Sequence, residues 1–201
     1  MFQSNKSYDK NKFTDLDFSE NLLEESEFTE CSFIQCNFTN STLSSCTFTD
    51  CKFEKCIFAS TKLFNSSLHT SKFTKCKLMG IDWSKLNTKI GLPLNCLECD
   101  LSYSSFANID ISNSVIEYCK IFDVDFTQTI AKKCFFKKSD FENSAFSNTN
   151  LIDSDFSESK NYAISIKNNK LKGCKFTYPH VLSLLEIEGI EIVEPTETFF
   201  E

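Results

Sequence analysis

Residues 31–58 read Cys31-Ser32-Phe33-Ile34-Gln35-Cys36-Asn37-Phe38-Thr39-Asn40-Ser41-Thr42-Leu43-Ser44-Ser45-Cys46-Thr47-Phe48-Thr49-Asp50-Cys51-Lys52-Phe53-Glu54-Lys55-Cys56-Ile57-Phe58. A large apolar residue returns at every fifth position, and two residues before each stands a small one, Cys or Ser in this stretch and Thr elsewhere. A period of five fits neither an amphipathic helix at 3.6 nor a strand alternating at 2. It does fit a solenoid, in which stacked units bury a core only together. With each five-residue unit as one side of a square coil, the large residue fills the axis, the small one packs beside it and the polar ones face water.

Outward from this stretch the pattern begins at Phe13 and runs unbroken to Trp83, then resumes at Leu101 and continues to Phe176, with Ala131 and Asn161 as its two exceptions. Residues twenty apart should stack, so Phe38, Phe58 and Leu78 in the first run and Phe106, Phe126 and Phe146 in the second are the expected core columns. Burying each phenylalanine is worth roughly 1.5 to 3 kcal/mol before entropy is subtracted. The sequence therefore predicts an all-β quadrilateral β-helix of about eight coils, roughly 40 Å long at ~4.8 Å per coil.

Composition bounds the function. At 201 residues and 41% hydrophobic, the chain suits one domain with a sizeable core. The start Met1-Phe2-Gln3-Ser4-Asn5-Lys6 lacks a signal-peptide apolar run, and no stretch approaches the roughly 18 apolar residues of a membrane helix, so a cytoplasmic location with no membrane partner is expected. Of eleven cysteines, all but Cys96 occupy the small inward position. They read as compact buried hydrophobes rather than disulfides, metal ligands or nucleophiles. The only histidines, His69 and His180, lie far apart with no cysteine pair nearby, which leaves no zinc set. A formal charge of -7 with no arginine disfavours direct nucleic-acid binding. Four glycines form no phosphate-cradling loop, and no nucleophile, base and orienting group converge. A binding protein is expected, not an enzyme, with no catalytic residue, metal or cofactor.

Function should reside where the repeat is broken. Centres fall at 83 and then 101, three residues beyond whole repeats, so 84–98, with its Gly91 and Pro93, reads as an interrupting loop between repeat runs 13–83 and 99–176. Residues 1–12 form an N-terminal segment. Beyond Phe176 the segment Tyr178-Pro179-His180-Val181-Leu182-Ser183-Leu184-Leu185-Glu186-Ile187-Glu188-Gly189 carries helix signals, with Pro179 in the first turn and Gly189 as the stop. Ile190-Glu191-Ile192-Val193 resembles a short strand. The element 177–194 should cap the last coil and, through Val181, Leu184, Leu185, Ile190 and Ile192, make a symmetric homodimer; 195–201 is a tail. Charge is uneven as well: Asp15, Asp17, Glu20, Glu24, Glu25, Glu27 and Glu30 ring the first turn, whereas 52–89 is rich in lysine.

The start Tyr8-Asp9-Lys10-Asn11-Lys12-Phe13-Thr14, the stretch Asp100-Leu101-Ser102-Tyr103-Ser104-Ser105-Phe106 and the ending Leu182-Ser183-Leu184-Leu185-Glu186-Ile187-Glu188-Gly189-Ile190 resemble the pentapeptide-repeat family, and within it the Qnr-type quinolone-resistance proteins. The resemblance implies a right-handed helix with four repeats per turn. It also implies a dimeric, DNA-mimicking rod that binds DNA gyrase and topoisomerase IV and protects them from quinolones or a gyrase-poisoning toxin. By the same resemblance 85–94 corresponds to the larger projecting loop of those proteins, with Lys85, Asn87, Lys89, Leu92 and Leu94 as contact residues, while their smaller, earlier loop has no counterpart. Mimicry would need carboxylates in place of phosphates, for which Asp100, Asp123, Asp125, Asp140 and Glu142 are the candidates. The alternative is a pentapeptide-repeat interaction scaffold with no topoisomerase role.

Overall fold

The computed structural model describes residues 2–89 and 91–193. Ser7 pairs with Glu27, Lys12 with Ser32, Asp17 with Asn37 and Leu22 with Thr42, always in parallel and always twenty residues apart. Four parallel ladders offset by five residues are the four sides of a square coil. We call them faces A to D in that order, so that A lies opposite C and B opposite D. Face A begins with strands Ser7–Asp9, Glu27–Thr29 and Thr47–Thr49, and face D with Leu22–Glu24, Thr42–Ser44 and Lys62–Phe64. Face B holds the longest ladder, six strands from Lys12–Thr14 to Val115–Glu117 continued by single bridges through Phe135, Asp155 and Lys175. Face C is joined by single bridges through Asp17, Asn37, Ile57, Lys77, Asp100, Lys120, Asp140 and Lys160, a ladder of eight rungs.

The repeat centres are turned inward as their period requires. Phe28 stacks on Phe48 with ring centroids 4.8 Å apart, Phe33 on Phe53 at 4.7 Å and Phe38 on Phe58 at 4.6 Å. These spacings equal one strand spacing, so rings on one face stack in step with the backbone. Across a corner the geometry changes to edge-on, as between Phe48 and Phe53 at 5.7 Å and 62°, the other arrangement that the ring quadrupole favours. Leu78 continues the Phe38 column, and Phe106, Phe126 and Phe146 stack above Trp83 as the column of face D; all are buried. Ala131 keeps its place in register and is buried too.

Size alone does not explain the small positions. The Cys51 thiol donates to the Phe28 carbonyl at 3.3 Å, the Thr61 hydroxyl to Phe38 at 2.8 Å and the Ser139 hydroxyl to Ile116 at 3.1 Å. Most of the Cys, Ser and Thr residues at this site tether their coil to a carbonyl of the previous one in this way; the Ser41 hydroxyl has no partner among the described residues, and Ile81, Ile109 and Val124 fill the position by packing alone. Burial pushes the Cys51 and Cys134 thiols up to about 12, so they stay protonated and unreactive. The second residue after nearly every centre, such as Gln35, Asn40, Asp50 or Lys55, takes a left-handed φ near 55° to turn the corner; Lys85 after Trp83, in a 3-10 turn, does not. Gly80 fills one such corner at no steric cost.

Several boundaries differ from the sequence expectation. The ladder already starts at Ser7, inside the expected N-terminal segment, and Phe2 is buried over the open end, its ring 4.8 Å from Phe13 and 5.2 Å from Phe18. The coil resumes at Asn95–Leu97, earlier than 99, with Cys96 at a centre between Phe73 and Ile116. Leu94 then takes the neighbouring small position, so a large and a small side chain have exchanged places at nearly constant volume. At the last face C side, Asn161 turns out with a φ of 57° and its amide donates to Asp140 at 2.7 Å. Tyr162 and Ile164 are buried instead, and Ile166, expected at a centre, is exposed. The cap follows as a 3-10 turn His180–Leu182 and one helical turn Ser183–Glu186. No strand forms over 190–193. The expected tail 195–201 lies outside the described residues.

Candidate interaction surface

The interruption is narrower than its sequence suggests. Trp83–Lys85 forms a 3-10 turn started by the Asp82 side chain, which accepts from Ser84 N–H, and Lys85 pairs with Asp82 at 3.4 Å. Asn87 N–H still donates to Ser66 in the coil before at 2.9 Å, and Leu92 N–H to Asp110 in the coil after at 2.7 Å. Between these two anchors Gly91 N–H closes a turn onto the Thr88 carbonyl at 2.9 Å, with Gly91 itself at a φ of 82°. Leu86, Leu92 and Leu94 are buried and anchor the base of the loop. Leu92 and Leu94 are therefore not contact residues, since apolar side chains flanking a break in the coil fill the axis there. Lys85, Asn87 and Lys89 are exposed. Pro93, with Ser67, His69 and Asn87, borders a groove of about 110 Å³ beneath the loop.

Four of the five candidate acids lie on or at the edge of face C, opposite the loop, and the fifth lies on face D. Asp100 and Asp140 are rungs of face C, Asp123 and Glu142 follow its centres Ile121 and Phe141, and Asp125 opens face D. They do not form a continuous anionic track. Lys120 lies 4.0 Å from Asp100, and Lys160 3.2 Å from Asp140. Rungs twenty residues apart alternate in sign, so each lysine neutralises the carboxylate beside it. Asp123, Asp125 and Glu142 lack such a partner among the described residues.

At the far end Leu184 is 7% exposed and belongs to the chain's own core, with Val181 packed partly against it, while Leu185, Ile190 and Ile192 are exposed together with Ile187. Glu188 fastens this cap to the last coil. Its carboxylate accepts from the Lys167 ammonium and the Ser165 hydroxyl, each at 2.7 Å. These two partners hold its pKa at about 2, below the ordinary carboxylate range. Because the folded value is depressed, the stabilisation is complete above the unfolded value near ~4.3 and is lost as pH falls toward 2. Carbon-13 titration of the Glu188 carboxyl should therefore find its midpoint in that low range, with the amides of residues 183–187 shifting in step. In Glu188→Gln those shifts should vanish. A midpoint above about 4 would mean that Lys167 and Ser165 do not clamp Glu188.

A family model for the pentapeptide repeat region matches residues 26–90, and a second, for pentapeptide repeats in eight copies, matches 119–157. Together they span more than half of the chain. It belongs to the pentapeptide-repeat family. Among solved pentapeptide-repeat structures, a trypsin-treated variant of QnrB1, a plasmid-mediated fluoroquinolone resistance protein, is 17% identical, with 93% of this chain and 100% of that one covered at a TM-score of 0.52. HetL, a pentapeptide repeat protein involved in heterocyst differentiation regulation from the cyanobacterium Nostoc sp. strain PCC 7120, is 13% identical, with 86% and 84% covered at a TM-score of 0.42. At such identity the QnrB1 likeness is one of fold. No curated protein matches the chain. Among the described residues no helix is long and apolar enough to cross a membrane.

Proposed function

We propose that this chain is a binding rod that engages type II topoisomerases, DNA gyrase and topoisomerase IV, and shields them from quinolones or a gyrase-poisoning toxin as a homodimer joined through its C-terminal cap. The observation that carries this reading is a side-chain-filled rod interrupted near its middle by one short turn, Gly91 onto Thr88, on a base anchored by the buried Leu86, Leu92 and Leu94. A filled axis leaves recognition to the skin and the ends, and a rigid base lowers the ordering cost of binding. The fold shared with a fluoroquinolone resistance protein along nearly the whole chain supports the choice of partner. The apolar Leu185, Ile187, Ile190 and Ile192 on the outside of the cap support the dimer.

The loop sits on face A and the acids on faces C and D, so a partner that touches all of them must reach around the rod, as a cleft that grips duplex DNA would. Asp123, Asp125 and Glu142 are then the carboxylates placed to stand in for phosphates, with Asp100 and Asp140 already paired.

The decisive assay is gyrase supercoiling with ciprofloxacin, with and without the protein. Wild type should restore supercoiling, and a variant lacking residues 88–91 should fold with an unchanged circular dichroism spectrum yet restore none. Full rescue by the loop deletion would discard the loop as the contact. Neither rescue nor gyrase binding at micromolar protein would leave the interaction-scaffold reading in place of this one.

A further inference from the structure

The lysines of the C-terminal coils divide into two groups. Lys120, Lys137, Lys138, Lys160, Lys167 and Lys175 each lie within 4.0 Å of a carboxylate, with Asp155 serving both Lys137 and Lys175. Lys132, Lys133, Lys170 and Lys172 are exposed and have no ion pair among the described residues. All four lie on face A, which climbs through Ile130, Asn150 and Lys170. The nearest acid on that face, Asp153, is turned onto the next coil, where its Oδ1 covers the Cα of Gly173 so closely that a Cβ there would meet it at 2.2 Å. Within three stacked rungs, ~4.8 Å apart, this face gathers four ammonium groups with little local compensation.

The opposite imbalance stands at the other end of the same chain. Of Asp15, Asp17, Glu20, Glu24, Glu25, Glu27 and Glu30 around the first coils, only Glu30 has a lysine partner among the described residues, Lys10 at 3.8 Å. The two surfaces cannot meet within one rod, because the coils between them hold them apart. They can meet between rods.

We propose that the lysine-bearing part of face A is a docking surface for the acidic N-terminal coils of a second copy of this chain, giving an end-to-flank contact distinct from any contact through the cap. Three observations favour a second copy over a nucleic acid. The chain itself supplies the complementary surface. The basic face holds only lysines, with no arginine fork to grip phosphate and no aromatic ring to stack a base. The net charge of -7 repels a long polyanion, whereas a contact between two patches is governed by charges within a Debye length, ~10 Å at 0.1 M salt. A heterologous contact of this kind does not close on itself, so it should build larger species rather than a defined dimer. It is independent of the topoisomerase reading.

Sedimentation velocity of the full chain tests it. At about 50 mM salt wild type should form species larger than the dimer as concentration rises, and these should disappear at about 500 mM; an apolar cap contact would survive that change. Lys132→Glu/Lys133→Glu/Lys170→Glu/Lys172→Glu should abolish the large species, and so should Glu20→Lys/Glu24→Lys/Glu25→Lys. Mixing the two charge-reversed proteins should restore them, a result that misfolding of either could not produce. Three outcomes would overturn the proposal: no salt-sensitive species in wild type, survival of them in the lysine-reversed protein, or a mixture that stays small. A lysine-dependent gel shift of a short DNA duplex with no change in sedimentation would likewise overturn it, and would assign the face to nucleic acid.

Discussion

Phe53→Ala is expected to lower the unfolding free energy by about 3–5 kcal/mol. The Phe53 ring is fully enclosed, stacked between Phe33 at 4.7 Å and Phe73 at 4.8 Å and met edge-on by Phe48 at 5.7 Å and Phe58 at 5.4 Å. Truncation removes these contacts and opens a void that the neighbours cannot close, because each is fixed by its own ladder. A solenoid makes this worse, since each coil is stabilised only by the coils before and after it. Urea denaturation followed by circular dichroism gives the value. Phe53→Leu, which keeps most of the volume, should cost less than half as much. A loss below about 1 kcal/mol for the alanine variant would mean that the axial stack is not the main source of stability.

Leu184→Asp and Leu185→Asp, adjacent in sequence, should behave differently. Leu184 is buried against the last coil, so an aspartate there places an unpaired charge in an apolar contact at a cost of several kcal/mol. The single helical turn Ser183–Glu186 is too short to hold its shape without that contact. The cap should detach and leave Tyr162 and Ile164 exposed to water. Leu185, 37% exposed, points away from the coil. Its aspartate variant should melt like wild type and, if the cap forms the proposed dimer, run as a monomer in light scattering. Hydrogen exchange over residues 180–190 separates the two effects. Equal protection in both variants would show that the assignment of Leu184 to the chain's own core is mistaken.

The position of the loop also limits how a partner can bind. With the turn that Gly91 closes onto Thr88 on face A and the acids on faces C and D, a flat partner surface laid on face A cannot also cover face C. Charge reversal at Asp123 and Asp125 and deletion of 88–91 should accordingly make separable contributions to any topoisomerase contact, because the two sites share no neighbours.

The square solenoid could be read from the sequence alone, since a five-residue period leaves one way to bury Phe33, Phe53 and Phe73 together and the register of every face follows from it. The inward placement of ten cysteines was legible for the same reason. Where the period fails, at 84–98, at Asn161 and beyond Phe176, no repeating constraint remains, and position depends on contacts distant in sequence. Only the tertiary structure shows that Leu92 and Leu94 turn inward, that Cys96 takes a centre, that Phe2 closes the first coil and that Tyr162 replaces Asn161. It alone decides which charges are neutralised, because the pairing of Asp140 with Lys160 and the isolation of Lys132 and Lys172 depend on which side chains the twenty-residue register sets side by side on each face. Periodicity is a local property and survives in one dimension. Compensation of charge and closure of an end are properties of surfaces that exist only once the coil has wound.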